Sequence, residues 1–286
     1  MKVVKSLFLF TVAAAVTSCF NAPEYSTTPR ISFIGVCFKS GGTTDPDVLT
    51  LRISFRDGDG DLGLADQIEE PYNDIFYGIA SSGEVVEAGK ETVINGLQQF
   101  IKVPPGTTGK LVTTRTLLDP AYSDDLPPYV DAVTSCYDYK IQKVYIQEKD
   151  KAIIDASYPD IDTVTTGSLP SVYYIVQDQV YYKRNPNHRN IDVEFWENDG
   201  TGTFTLFDWE KEYCEASFNQ RFPELSDKSG LLEGDLKYDM SSVGIRQTFG
   251  SKTLRLKVRI RDRALNVSNE VVSQDFTLDS ISKNCE

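Results

Sequence analysis

The stretch LTLRISFRDGDGDLGL, residues 49–64, carries the pattern that decides the fold. Apolar residues at Leu51, Ile53 and Phe55 occupy alternate positions, which predicts a half-buried β-strand. The strand runs directly into three aspartates separated by single glycines. Such a run is typical either of a solvated turn or of a loop that binds a cation.

The same period-two alternation recurs along the whole chain. Examples are ISFIGVCF (31–38), YKIQKVYIQE (139–148), NIDVEFWE (190–197) and TLRLKVRIRD (253–262), and Gly, Pro, Asn and Asp separate such runs. No segment has the pattern of an amphipathic helix of normal length. We therefore predict an all-β protein built from antiparallel β-sandwiches, two of them in tandem.

The predicted domains follow from length and composition. A polar stretch at 151–170 reads as a linker between one sandwich at 31–150 and another at 171–286. LRISFRD (51–57) and LKVRIRD (256–262) share one alternating form that ends in Arg-Asp. This echo favours two related units, although two unrelated edge strands would look similar.

The N-terminus has the features of an export signal. Lys2 and Lys5 precede an apolar run from Leu7 to Val16, which is too short to span a bilayer. The run ends in VTSC, which resembles a bacterial lipoprotein lipobox. The resemblance implies a signal peptide at 1–18 and a lipid anchor, palmitate included, on Cys19. The alternative is an ordinary secretory signal that happens to end near a cysteine.

The residues after the anchor predict where the chain is held. Residues 19–30 have the composition of a tether, with proline, small polar residues and no periodicity. Phe20 stands where inner-membrane lipoproteins often carry aspartate, which favours the outer membrane. Glu24 is the only acid nearby, so the periplasmic and surface-facing orientations both stay open. No other segment reaches the roughly 18 apolar residues of a transmembrane helix.

The negative net charge of the chain limits the classes of molecule that it is expected to bind. Formal net charge is −13, and loss of Lys2 and Lys5 with the signal peptide brings the mature chain near −15. Such a surface repels nucleic acid and attracts cations or basic protein loops.

Four cysteines follow Cys19, and an exported protein can oxidise them. None forms a C-x-x-C motif, so a zinc ribbon or a thioredoxin-like site is not expected. Four cysteines allow three pairings. Order along the chain favours Cys37 with Cys136, and Cys214 with Cys285.

Four segments in a fixed order resemble one family. FRDGDGDLGL (55–64), RFPEL (221–225), LLEGDLKYDM (231–240) and RDRALNVSN (261–269) look like motifs of uncharacterised Bacteroidota outer-membrane lipoproteins. The resemblance implies an Ig-like or fibronectin-III-like fold and no established activity. This chain is longer than the family pattern between residues 65 and 190.

The Asp-Gly loop is the candidate metal site. Gly58 and Gly60 would let the chain curl, so that Asp57, Asp59 and Asp61 converge on a hard cation such as Ca²⁺. The spacing matches the first half of an EF-hand loop but not the second, since position twelve is Ile68 rather than Glu. A weak structural calcium site and a plain solvated turn are the two interpretations.

Two further loops have simpler interpretations. Asp262 and Asn266 in the late RDRALN loop are expected to cap their turn through Asx hydrogen bonds. The sequence ENDGTG (197–202) predicts a hairpin turn, and a second cation site is the alternative there.

Enzyme classes find little support. The only histidine, His188, lies in the turn NPNHRN, where we expect it to be solvated. The chain has no G-x-S-x-G, H-E-x-x-H or P-loop motif. We predict no enzymatic activity and no catalytic residues.

The expected role is therefore a binding or accessory module for another protein of the cell envelope. The alternative is carbohydrate binding, with Trp196 or Trp209 as stacking platforms, although aromatic residues on strands also fill sandwich cores. Thr163 and Ser280 lie in triplets that resemble the O-glycosylation signal of exported Bacteroidota proteins, at positions expected to be an accessible linker and tail.

Overall fold

The structure is a computed structural model of the 286-residue chain. β-Strands dominate it, and the predicted all-β sandwich class is confirmed. None of the helices within the described part of the chain has the length and apolar character that a membrane crossing requires. The structure describes residues 25–42, 45–64, 70–94, 97–113, 139–154, 162–165, 172–183, 185–198, 200–213, 217–226 and 230–282.

The described ranges contain fourteen strands, two short α-helices and two 3-10 helices. The strands are β1 (Arg30–Lys39), β2 (Asp47–Asp57), β3 (Ile75–Ile79), β4 (Val85–Ile94), β5 (Leu97–Lys102), β6 (Lys110–Leu111), β7 (Tyr139–Gln147), β8 (Asp162–Thr165), β9 (Val172–Lys183), β10 (Ile191–Asn198), β11 (Phe204–Phe207), β12 (Leu232–Ser242), β13 (Leu254–Ile260) and β14 (Val271–Val272). The α-helices are α1 (Trp209–Tyr213) and α2 (Ile245–Phe249), and the 3-10 helices are Glu148–Ile153 and Pro186–His188.

Two sheets pack face to face as a sandwich. The first sheet has the order β1-β2-β12 and the second has the order β11-β10-β13-β14, with antiparallel neighbours throughout. Alternate residues of β2 and β13 point into the shared core, as their period-two pattern predicts. These inward side chains are fully or almost fully buried: Leu49, Leu51 and Ile53 from β2, and Leu254, Leu256 and Val258 from β13.

The middle of the chain forms a separate sheet of seven strands. Five of them close on one another, because β3 pairs with β4, β4 with β5, β5 with β7, β7 with β9, and β9 again with β3. All of these pairs are antiparallel except β5 with β7. We call this closed unit the barrel, and it has its own core around Phe76, Ile101, Val144 and Tyr182.

The strand pairing differs from a tandem arrangement. Strand β2 pairs along its full length with β12, so that Leu51 faces Tyr238 across nearly two hundred residues of chain. Residues from both predicted sandwiches (31–150 and 171–286) therefore share one sheet, and the barrel is inserted between β2 and β10. The predicted linker at 151–170 also contains strand β8. The tandem prediction assumed that strands close together in the sequence share a domain. Sheet partners are instead selected by how the strands pack into a core.

Candidate cation site

Two strand ends meet at one end of the sandwich. Strand β2 ends at Asp57 in the first sheet, and Asp262 follows β13 in the second sheet. Leu62 forms an isolated antiparallel bridge with Asp262, and the Arg263 N–H donates to the Asp61 carbonyl oxygen at 3.2 Å. The two similar strand sequences, LRISFRD (51–57) and LKVRIRD (256–262), therefore end next to each other in the structure.

The Asp-Gly loop is wound tightly by its own hydrogen bonds. Asp57 Oδ2 accepts the backbone N–H of Asp61 at 3.0 Å, which folds the loop back on its first residue. Gly60, between the second and third aspartates, has a φ of +73°, a left-handed conformation that glycine adopts at little cost. Asp61 Oδ2 accepts the N–H of Ala264 at 3.0 Å, which ties the loop to the opposite sheet.

Three carboxylate oxygens converge inside this loop. One oxygen each of Asp57, Asp59 and Asp61 lies within 4.8 Å of the other two. The Oδ1 atoms of all three residues are shielded from solvent and have no hydrogen-bond partner among the described residues. Asp57 as a whole is 0% exposed. A buried carboxylate oxygen without a partner is costly, so this arrangement calls for a positive ligand.

The raised pKa values of the aspartates also favour a bound cation. Burial, reinforced by the negative charges of Asp59, Asp61 and Asp262, raises the pKa of Asp57 to about 6. Burial also raises the pKa of Asp61, with Asp262 and Asp59 adding to the effect. The two arginines next to the cluster in sequence pair with other acids: Arg56 lies 3.3 Å from Glu233 and Arg263 lies 2.6 Å from Glu224. A divalent cation would relieve the mutual repulsion of these carboxylates.

The donor set selects the kind of metal. All three converging atoms are carboxylate oxygens, which are the preferred ligands of hard cations. Zinc sites in proteins are built mainly from histidine nitrogen and cysteine sulfur instead. Calcium accepts six to eight oxygens with loose geometry, whereas magnesium requires a near-ideal octahedron. An irregular loop with three carboxylates therefore fits calcium best, with carbonyl oxygens or water completing the shell.

Asp262 supports the site from the second sheet. It is 1% exposed, and its two oxygens accept the backbone N–H and side-chain N–H of Asn266 at 2.7 and 2.8 Å. This is the Asx cap expected from the sequence. Burial raises the pKa of Asp262, and the negative charge of Asp59 contributes to that rise. Asp262 thus brings a fourth negative charge to the cluster while its oxygens hold the turn.

Sequence reasoning missed a second group of ligand-type side chains. Asp74 lies just before β3, Glu91 lies on β4 and His188 ends a 3-10 helix, and one atom of each lies within 4.8 Å of the others. Both carboxylates are buried. Asp74 Oδ1 accepts the N–H of Asn185 at 2.8 Å, and His188 Nδ1 lies 3.1 Å from the Tyr72 carbonyl oxygen.

The expectation that His188 is simply solvated was therefore wrong. The residue is half-buried, and all three members of the group have further polar contacts. The group forms a polar junction between the barrel and the chain that enters β10. No local pattern marks it, because His188 is far along the chain from both carboxylates and all three lie in ordinary strand and turn sequence. Only the pairing of β3 with β9 brings them together.

The two tryptophans have different environments. Trp209 is 5% exposed, and its ring packs edge-on against Phe218 and Phe249 at centroid distances of 4.9 and 5.3 Å. It is a core residue, so the prediction of a glycan platform at Trp209 was wrong. Trp196 is half-buried on the outer face of β10, where the Lys257 ammonium lies 3.9 Å from the ring centroid. That lysine covers the face on which a sugar would stack.

The remaining predicted positions fall in several places. Cys37 is disulfide-bonded, whereas Cys136, Cys214 and Cys285 lie outside the described residues, so the predicted pairing stays a prediction. Cys19 also lies outside them.

The two candidate O-glycosylation residues are placed differently from each other. Thr163 lies within strand β8, opposite Tyr174, and not in a free linker as expected. Ser280 is exposed, as expected of a tail residue. Its hydroxyl group donates to the Thr277 carbonyl oxygen at 2.8 Å, within a local turn.

The ENDGTG segment forms a hairpin turn, as predicted. It connects β10 to β11, and Asn198 Oδ1 accepts the N–H groups of Gly200 and Gly202 at 2.8 and 3.2 Å. Both glycines have positive φ.

Comparison with known proteins adds no family. The chain matches no protein-family model, no curated protein and no solved structure. The fold and the geometry of the site therefore carry the functional argument.

Proposed function

We propose that this protein is a non-enzymatic, lipid-anchored binding module of the outer membrane whose sandwich is closed at one end by a calcium ion. Two observations carry the calcium assignment: one carboxylate oxygen each of Asp57, Asp59 and Asp61 lies within 4.8 Å of the other two, and the Oδ1 atom of each is buried without a hydrogen-bond partner in the part of the chain that the structure describes. The resemblance to Bacteroidota lipoproteins and the lipobox-like VTSC support the anchoring.

A structural role for the ion follows from its surroundings. The three Oδ1 atoms are shielded from solvent, so the ion would be enclosed rather than open to a substrate. The loop that holds it is joined to the second sheet through Asp61, whose side chain and carbonyl oxygen accept N–H groups of Ala264 and Arg263. An ion here would fasten the two sheets together at the end where both strands leave the core.

Calcium binding is tested by thermal unfolding. For a weak site with a Kd of about 0.1–1 mM, millimolar calcium is at about a one- to tenfold excess and stabilises the folded state by about 0.4–1.4 kcal/mol. For a chain of this size, we expect millimolar calcium to raise the Tm by about 1–5 °C relative to EGTA. Magnesium should give a smaller shift because of its stricter geometry.

A matched pair of variants separates a specific site from general charge screening. Asp59→Asn should abolish the calcium shift because it removes one ligand carboxylate. Asp235→Asn removes the same charge from an exposed position on β12 and should leave the shift intact. Equal calcium shifts in the two variants, or no shift in the parent protein, would overturn the site.

The anchoring is tested separately from the ion. Cys19→Ala should move the protein from the membrane fraction to the soluble fraction, since the lipidated residue is lost. A variant that is processed normally and still sediments with membranes would refute the anchor. Protease treatment of whole cells then distinguishes surface-facing from periplasmic protein.

The partner is inferred from charge and location. A net charge of −13 favours a partner with basic loops and makes association sensitive to salt. We expect detergent-solubilised protein to co-purify at low salt with a stoichiometric envelope protein, and to lose it as salt is raised. A glycan ligand lost on Trp196→Ala, with no protein partner, would instead favour the carbohydrate-binding alternative.

A further inference from the structure

The chain that enters the sandwich lies directly on the Asp-Gly loop. The predicted tether was residues 19–30, but Tyr25–Pro29 lie against the folded domain and β1 begins at Arg30. The Ser26 carbonyl oxygen accepts the N–H of Gly58 at 3.0 Å. The Arg56 guanidinium lies 5.8 Å from the centroid of the Tyr25 ring.

Gly58 is the residue that permits this contact. A Cβ atom at position 58 would lie 2.5 Å from the Tyr25 carbonyl oxygen and 2.8 Å from the Ser26 carbonyl oxygen. Both distances are shorter than real Cβ atoms tolerate. The entering chain therefore packs directly on the backbone of Gly58, which has no side chain. The residues on either side of Gly58 are the proposed ligands Asp57 and Asp59.

We propose that the cation bound by Asp57, Asp59 and Asp61 controls whether the segment Tyr25–Pro29 is docked on the domain or free. This inference rests on the proposed calcium site. With the ion bound, the loop is fixed and the Gly58 N–H points at Ser26. Without the ion, the carboxylates repel one another, the loop opens and the amide that holds the entering chain moves away.

Docking of the segment changes the reach of the domain from its anchor. The chain from Cys19 to Tyr25 spans at most about 21 Å, whereas the chain from Cys19 to Arg30 spans at most about 38 Å. Calcium would therefore hold the domain close to the membrane, and its removal would lengthen the free tether. By linkage, docking of the segment must in turn strengthen calcium binding.

The experiment measures chymotrypsin cleavage after Tyr25 in the full lipidated chain, held in detergent micelles. We expect cleavage to be at least about fivefold slower in calcium than in EGTA, the lower end of ordinary coupling between two sites. Asp59→Asn should be cleaved at the same rate in both conditions, because it lacks one ligand carboxylate. Calorimetry on the same samples measures calcium binding independently.

A glycine pair provides the matched control. Gly58→Ala should be cleaved rapidly even in calcium and should bind calcium more weakly. Gly35→Ala should behave as the parent protein, because a Cβ there meets nothing within 4 Å. If Gly58→Ala does not fold by circular dichroism, the parent protein and Asp59→Asn decide the question.

The outcomes separate the two proposals. No calcium binding by the parent protein would overturn both the site and this inference. Calcium binding with equal cleavage rates in calcium and EGTA would overturn the docking of Tyr25–Pro29 alone. Calcium-dependent protection that disappears in Asp59→Asn would support the coupling.

Discussion

At the scale of single residues, Asp57 places a carboxyl group at a buried position. It ends a strand whose inward side chains are apolar, yet its own carboxyl group is fully buried. Its Oδ2 accepts the Asp61 N–H, its Oδ1 has no hydrogen-bond partner within the described ranges, and one of its oxygens lies within 4.8 Å of oxygens of Asp59 and Asp61. The residue is stable in this position only when a proton or a cation compensates its charge.

This compensation predicts an unusual pH dependence in the absence of calcium. The pKa of Asp57 is about 6 in the folded state, against an ordinary value of 3.8 for an aspartate in an unfolded chain. Because the folded pKa is raised, the folded state binds more protons between these values, and its stability falls as pH rises through about 6. In EGTA, we expect this residue to add about 1 kcal/mol to the free energy of unfolding on going from pH 7 to pH 5.

The measurement is urea unfolding in EGTA at both pH values, for the parent protein and for Asp57→Asn. The asparagine does not titrate, so the difference between the two proteins isolates the carboxyl group. In saturating calcium the sign should reverse, since protons compete with the ion for the same oxygens. A pH effect of equal size in both proteins would contradict the assignment.

At the scale of elements, the Asp-Gly loop is held by its neighbours as well as by its own turn. Leu64 N–H donates to the Phe222 carbonyl oxygen at 3.1 Å, and Leu225 N–H donates to the Leu62 carbonyl oxygen at 3.2 Å. The loop thus lies against the RFPEL segment (221–225). Gly63 lies between these two contacts with a φ of +96°. The close approach of the two segments depends on this glycine.

Gly63→Ala should be strongly destabilising. A Cβ atom there would lie 2.2 Å from the Pro223 carbonyl oxygen, which is backbone and cannot rotate away. Gly83 provides a control, because it also has positive φ but a Cβ there meets nothing within 4 Å. We expect Gly63→Ala to lower the free energy of unfolding by about 1–3 kcal/mol more than Gly83→Ala. Equal losses in urea unfolding would show that backbone conformation alone matters.

At the scale of the whole molecule, the two ends of the chain build one sandwich around an inserted barrel. Strands β1 and β2 come from the first fifth of the chain, and β10 to β14 come from the last third. The C-terminal residues return to the first strand, where Phe38 N–H donates to the Ile281 carbonyl oxygen at 3.3 Å. Asn269 also bonds the backbone N–H and carbonyl oxygen of Ile31, each at 2.9 Å. The C-terminal part of the chain therefore contacts β1 near both of its ends.

This closure predicts the disulfide partner of Cys37. Cys285 is the fourth residue after Ile281, a span of at most about 14 Å, so Cys285 can reach the strand that contains Cys37. We expect a nonreducing peptide map to link Cys37 with Cys285. A peptide that joins Cys37 to Cys136 would contradict this and support the pairing predicted from chain order.

Much of the local structure follows from the sequence. Period-two alternation predicts strands such as β1, β2, β10 and β13 because side-chain direction along a strand depends only on neighbouring residues. The Asp-Gly spacing likewise indicates the loop and the three aspartates that converge in it, since a turn is a property of four or five consecutive residues. The ENDGTG hairpin belongs to the same class.

What only the tertiary structure decided is which of these elements meet. The pairing of β2 with β12, the arrival of Asp262 beside the Asp-Gly loop, and the burial of Trp209 all depend on contacts between residues far apart in the chain. Period-two alternation is the same for every strand and so carries no information about partners. The partners are selected by how whole faces pack into a shared core, and that selection produced an enclosed set of three carboxylates whose Oδ1 atoms have no hydrogen-bond partner among the described residues.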